Sequence, residues 1–137
     1  MPSQVNPFVT QAVQKCLGHL SPLFEAVRKK HDGSIPDAMK EDHYLLGYIK
    51  GMLMVQMGRC GQFKNRERGL IILEVFGHLF DSNSRIIGER LSQLHLERDD
   101  VEYLEGVNDG GDRLLNFSEG RKDEVIYKLM NRLEKYL

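Results

Sequence analysis

Cys16 and His19 stand three residues apart, a spacing that brings two metal-ligand types onto one turn of a helix. Cys60 and His43 are the residues that could complete a tetrahedral set. The chain has no second close-spaced pair of the CxxC or HxxxH kind, so the expectation is no metal and no cofactor. Cys16 then reads as a small core residue and His19 as a polar group at a helix end. Glu74 and His78 lie one helical turn apart in an apolar run, either on a solvent stripe or as a buried polar pair. Asp99, Asp100 and Glu102, with Glu105 beyond them, form an acidic patch whose first members meet the positive end of a helix dipole. "NDGGD" (108–112) lacks the alternating oxygen positions of a calcium loop and reads as the clearest loop in the chain. No Walker-type loop, GxSxG elbow or dinucleotide fingerprint is present.

The one catalytic pattern is "RLSQLH", Arg90 to His95. It is similar to the R-x4-6-H signature of the HEPN family, compact all-helical domains that often cleave RNA as dimers. The resemblance covers six residues in a helical setting. It implies that Arg90 and His95 would project into a shared dimer cleft, positioning a phosphate and handling a proton near neutral pH.

Helix punctuation dominates the rest of the chain. Asn6-Pro7 opens a helix, and Ser21-Pro22 either kinks it or starts a second. Asp32-Gly33 closes it. The most apolar segment, "LLGYIKGMLMVQMGRCG" (45–61), carries Gly47, Gly51, Gly58 and Gly61. Gly47, Gly51, Met54 and Gly58 fall at helical spacing on one narrow stripe, where Gly47 and Gly51 together cost roughly 2 kcal/mol relative to alanine. An aligned stripe invites close approach. Its occupant is a helix of the same chain, a second copy in an isologous dimer, or an apolar ligand beside Met52, Met54 and Met57. "LIILEVF" (70–76) continues its apolar pattern through Phe80 and so reads as helix. The expected fold is a single all-α domain over residues 1–137. It is a bundle of five to seven helices around a central apolar hairpin, about 38–60 and 66–80. No internal repeat or linker stands out.

Charge divides the chain. Net charge is −1, but residues 1–68 carry +4 and residues 69–137 carry −5. Arg59, Lys64, Arg66 and Arg68 form a basic patch at a helix-loop-helix corner, opposite in sign to the 97–112 stretch. "MPSQVNPFV" lacks the basic and apolar regions of a secretory signal, and no run is long enough to span a bilayer. These features predict a cytoplasmic, non-enzymatic helical interaction module that binds a protein partner or its own copy. A HEPN-like ribonuclease and a nucleic-acid-binding accessory protein are the alternatives, with nucleic acid the less favoured partner.

Overall fold

The computed structural model of the protein describes residues 7–80, 84–96, 100–115 and 119–137. Among them it contains seven helices and no strand, an all-α bundle. The helices are α1 (Pro7–Lys30), α2 (Asp37–Lys40), α3 (His43–Cys60), α4 (Asn65–Phe80), α5 (Ser84–Leu96), α6 (Val101–Leu114) and α7 (Glu119–Glu134). Asn6, most of the "DSNS" turn, Asp99 and Ser118 lie outside the described residues.

α1 passes through Pro22 as one helix of 24 residues. It ends where Asp32 and Gly33 both take positive φ, Gly33 donating its amide to the Arg28 carbonyl at 2.8 Å. Residues 38–60 form two helices: the short α2, then α3, whose first turn is capped by the Asp42 carboxylate accepting from the Leu45 amide at 3.2 Å. α1 and α4 meet through Phe24 and Phe80, edge to face with ring centroids 5.2 Å apart. Arg28 adds a second tie, donating to the His78 and Leu79 carbonyls at the end of α4, groups that the helix itself cannot satisfy.

The tightest pairing in the bundle is between α3 and α6, whereas α3 and α4, the two helices of the expected hairpin, touch only sparsely. The "NDGGD" segment, expected as a loop, is the second half of α6. The reason is visible at the glycines. A Cβ on Gly47 would overlap the Tyr103 carbonyl oxygen and lie 3.0 Å from the Val107 amide nitrogen. A Cβ on Gly51 would overlap the Val107 carbonyl and lie 2.9 Å from the Gly111 amide. From the other side, Gly106 faces the backbone of Tyr44 and Tyr48, and Gly110 faces Tyr48. Backbone lies against backbone, a separation at which Cα–H groups and carbonyl oxygens make weak favourable contacts.

The two helices run parallel: His43 sits beside Asp100, Gly47 beside Tyr103 and Val107, and Arg59 beside Leu114. Their sequences align as "YLLGYIKG" (44–51) and "YLEGVNDG" (103–110), sharing Tyr, Leu and two glycines at matching positions. Under that alignment the contacts are reciprocal: Gly47 meets Tyr103 and Val107, and its counterpart Gly106 meets Tyr44 and Tyr48. A short internal repeat therefore does exist. Low intrinsic helix propensity in α6 is overridden because only glycine admits this approach.

Adding one methyl to the seam should destabilise the fold, whereas adding it outside should not. Gly51→Ala is expected to cost about 2 kcal/mol or more in urea unfolding, as overpacking against immovable backbone does. Gly58, on the same helix with nothing within 4 Å of a new Cβ, should gain about 0.5–1 kcal/mol as alanine. Equal effects at the two positions would refute the seam.

Candidate anion-binding cleft

The residues expected to carry chemistry are dispersed by the fold. Arg90 donates from Nη2 to Glu41 Oε1 at 2.6 Å, and the His95 side chain lies outside the described residues. Glu74 and His78 form a solvent-facing pair 4.0 Å apart, both more than half exposed. Cys16 is buried, and burial together with nearby Cys60 pushes its thiol up to about 12. His43 is committed to Asp100, with Nδ1 2.6 Å from Oδ2. Among the described residues no cluster of three metal-ligating side chains exists.

The acidic patch is used within the bundle. Asp100 caps α6 by accepting from the Tyr103 amide at 2.9 Å. Glu102 and Glu105 pair with Arg132 and Lys128 of α7 at 3.5 and 2.7 Å. Asp99 lies outside the described residues. The glycine stripe divides: Gly47 and Gly51 face α6, Met54 is half exposed, and Gly58 borders open space. Met52 and Met57 are in the core.

Two buried carboxylates that the sequence reading did not single out bind α7 to the seam. Asp42 accepts from Arg132 Nε at 2.9 and 3.1 Å and from the Tyr136 hydroxyl at 2.7 Å. Burial pushes its carboxyl up, but the Arg132 and Tyr136 hydrogen bonds and the Leu45 amide outweigh it and hold the group below its ordinary value of 3.8. Asp109 accepts from the Tyr44 hydroxyl at 2.8 Å, and Arg121 and Lys128 lie 3.0 and 2.7 Å from its oxygens. Desolvation and that hydrogen bond both push the Tyr44 hydroxyl up. Every buried carboxylate described is thus matched by cations. Asp109 was hidden because its neighbours Gly110 and Gly111 read as a turn.

One place does not follow this pattern. Where α1, α3, α6 and α7 converge, a cavity of about 550 Å3 is lined by Lys15, His19, Arg59, Arg113 and Lys122. Gln56, Leu114 and Ile126 complete the wall, and no carboxylate among the described residues lines it. Arg113 reaches inward. Its Nη2 lies 3.4 Å from the His19 carbonyl, its Nη1 is buried, and its guanidinium sits against the Tyr48 side chain, where its charge and hydrogen bonding oppose the upward push of burial on that hydroxyl. The Tyr48 hydroxyl donates to the Val125 carbonyl at 3.1 Å. Arg59 is tethered at the rim through the Leu114 carbonyl. Desolvation, then the Arg113 and Lys122 charges, push the His19 ring below its ordinary value of 6.5. The neighbouring charges therefore disfavour one more cation, as expected where positive charge is uncompensated.

Of the basic patch read from sequence, only Arg59 reaches this cavity. Lys64, Arg66 and Arg68 are exposed on the α3–α4 corner and the start of α4, where the Lys64 amide donates to Glu67 Oε1 at 2.9 Å. Lys15, His19, Arg113 and Lys122 are scattered along the chain, and no local spacing links them. Compared with known proteins, the chain matches no family model, no curated protein and no solved structure. No described helix is long and apolar enough to cross a membrane.

The Asp42 clasp has a definite pH signature. Its folded pKa lies below the unfolded value, so its contribution is fully present above about pH 4 and is lost as pH falls through the folded value. Asp42→Asn retains a capping oxygen but removes the charge facing Arg132. The variant should lose about 3 kcal/mol at neutral pH. Its unfolding free energy should also fall less steeply than that of the wild type between about pH 4 and pH 2. A parallel pair of curves would refute the assignment.

Proposed function

We propose that this protein is a non-enzymatic helical interaction module, an adaptor, regulator or inhibitor, that engages an anionic group of its partner in the cleft between α1, α3, α6 and α7. The observation that carries this reading is the gathering of Lys15, His19, Arg59, Arg113 and Lys122 around one cavity with no carboxylate on its described lining, half-buried Arg113 lying against Tyr48 and the His19 carbonyl. Crowding cations together without a counter-charge costs free energy, whereas the buried carboxylates Asp42 and Asp109 are each matched by cations. An anion entering the cleft removes that penalty. The free thiols of Cys16 and Cys60 fit the reducing interior of a cell, and we place the module in the cytoplasm.

The seam formed by Gly47 and Gly51 is filled by α6, so self-association does not follow from it. The exposed Lys64, Arg66 and Arg68 favour the nucleic-acid reading only as an extension of the cleft rim through Arg59. The ribonuclease reading draws no support from Arg90, which is paired with Glu41.

Amide chemical shifts recorded during titration with inorganic phosphate, polyglutamate and an RNA oligomer test the reading. At least one anion should move signals of Lys15, His19, Arg113 and Lys122 together, and Lys122→Glu should weaken that response about tenfold or more. Shifts confined to Lys64, Arg66 and Arg68, or none at all, would overturn it.

A further inference from the structure

Resting on that reading of the cleft as an anion site, we infer that the anionic group it receives is a phosphate monoester on a small organic body. The charged head lies among Arg113, Lys122 and His19, and the organic body lies against Leu114 and Ile126. Lys15, Arg59, Arg113 and Lys122 bring a formal +4 to one cavity with no carboxylate on its described lining. A single carboxylate leaves most of that charge uncompensated. A phosphate monoester carries about −1.5 to −2 at neutral pH and three strong acceptor oxygens. It can therefore meet several of these donors at once. Arg113 suits the central role, because a guanidinium presents a planar fork that matches two oxygens of a phosphate, and this one lines the cavity between the His19 carbonyl and Tyr48.

Size and placement select among phosphate carriers. A cavity of about 550 Å3 is larger than a bare phosphate requires and falls in the range of small-molecule sites, roughly 300–1,000 Å3. Leu114 and Ile126 supply apolar wall, and Gln56 and His19 supply polar groups outside the four formal charges. The cations come from four helices and converge on a single cavity. An extended nucleic acid or acidic polypeptide is tracked instead by charges strung along one groove, and Lys64, Arg66 and Arg68, which could extend such a track, lie outside the lining.

Isothermal titration of the full chain with phenyl phosphate, benzoate and inorganic phosphate at equal ionic strength tests the inference. Phenyl phosphate should bind about tenfold or more tightly than benzoate, which carries the same ring on a carboxylate, and more tightly than inorganic phosphate. Arg113→Gln should weaken phenyl phosphate about tenfold. Because Arg113 is partly buried, Lys122→Gln on an exposed residue serves as the second variant; it should weaken binding several-fold, on the order of threefold, with Tm unchanged. Equal affinity for benzoate would overturn the phosphate assignment while leaving an anion cleft. Equal affinity for inorganic phosphate would overturn the organic body. Binding of polyglutamate or an RNA oligomer alone would overturn the inference and leave the interaction module. Binding of no probe would overturn both.

Discussion

The backbones of α3 and α6 touch, and the position of most other elements follows from that contact. Where two helices ordinarily keep 8–10 Å between axes because side chains intervene, Gly47, Gly51, Gly106 and Gly110 leave nothing to intervene. The contact fixes the helices in parallel and in one register, since a shift along the axis would set Tyr44, Tyr48 or Tyr103 against backbone. It also places the N-terminal ends of both helices together, so that Asp42 and Asp100 cap neighbouring first turns and His43 bridges to Asp100.

On that paired platform the polar interior becomes intelligible. Asp42 precedes α3 and Asp109 lies on α6, and both face α7, which answers with Arg121, Lys128 and Arg132. Buried ion pairs of this kind add less net stability than their Coulomb energy suggests, because desolvation offsets it. They are costly to break, however, and they specify where α7 docks. Asp109, Glu102 and Glu105 are paired with cations of α7 from the same half of the chain, so these contacts place α7 and leave that half's net charge of −5 unchanged. Basic side chains with no carboxylate on the described lining gather instead in the cleft.

That cleft is a product of assembly. Lys15 and His19 come from α1, Arg59 from the end of α3, Arg113 from the end of α6 and Lys122 from the start of α7. The parallel packing brings the C-terminal ends of α3 and α6 side by side, at the opposite end from the Asp42 and Asp100 caps. The negative ends of two helix dipoles meet there and offset part of the positive charge. Arg59 engages the carbonyl of Leu114, the last residue of α6.

Much of the fold was legible in the sequence because it depends on local signals. Apolar periodicity gave the helices of α4 and α7, Asp32-Gly33 gave the end of α1, and the spacing of Gly47 and Gly51 disclosed a stripe made for close contact. The occupant of the stripe was not legible while "NDGGD" counted as a loop. Glycine and aspartate disfavour a helix by local propensity, and α6 is helical because a matching stripe lies against it. The one available signal was the shared Tyr-Leu-x-Gly-x-x-x-Gly pattern at 44–51 and 103–110. By itself the sequence determined an all-helical bundle and the residues on which two backbones could meet, since both depend on spacing along one helix. Tertiary structure alone decided which acids are buried and paired and which cations stand together unmatched. Those depend on distances between residues tens of positions apart, which no local pattern encodes.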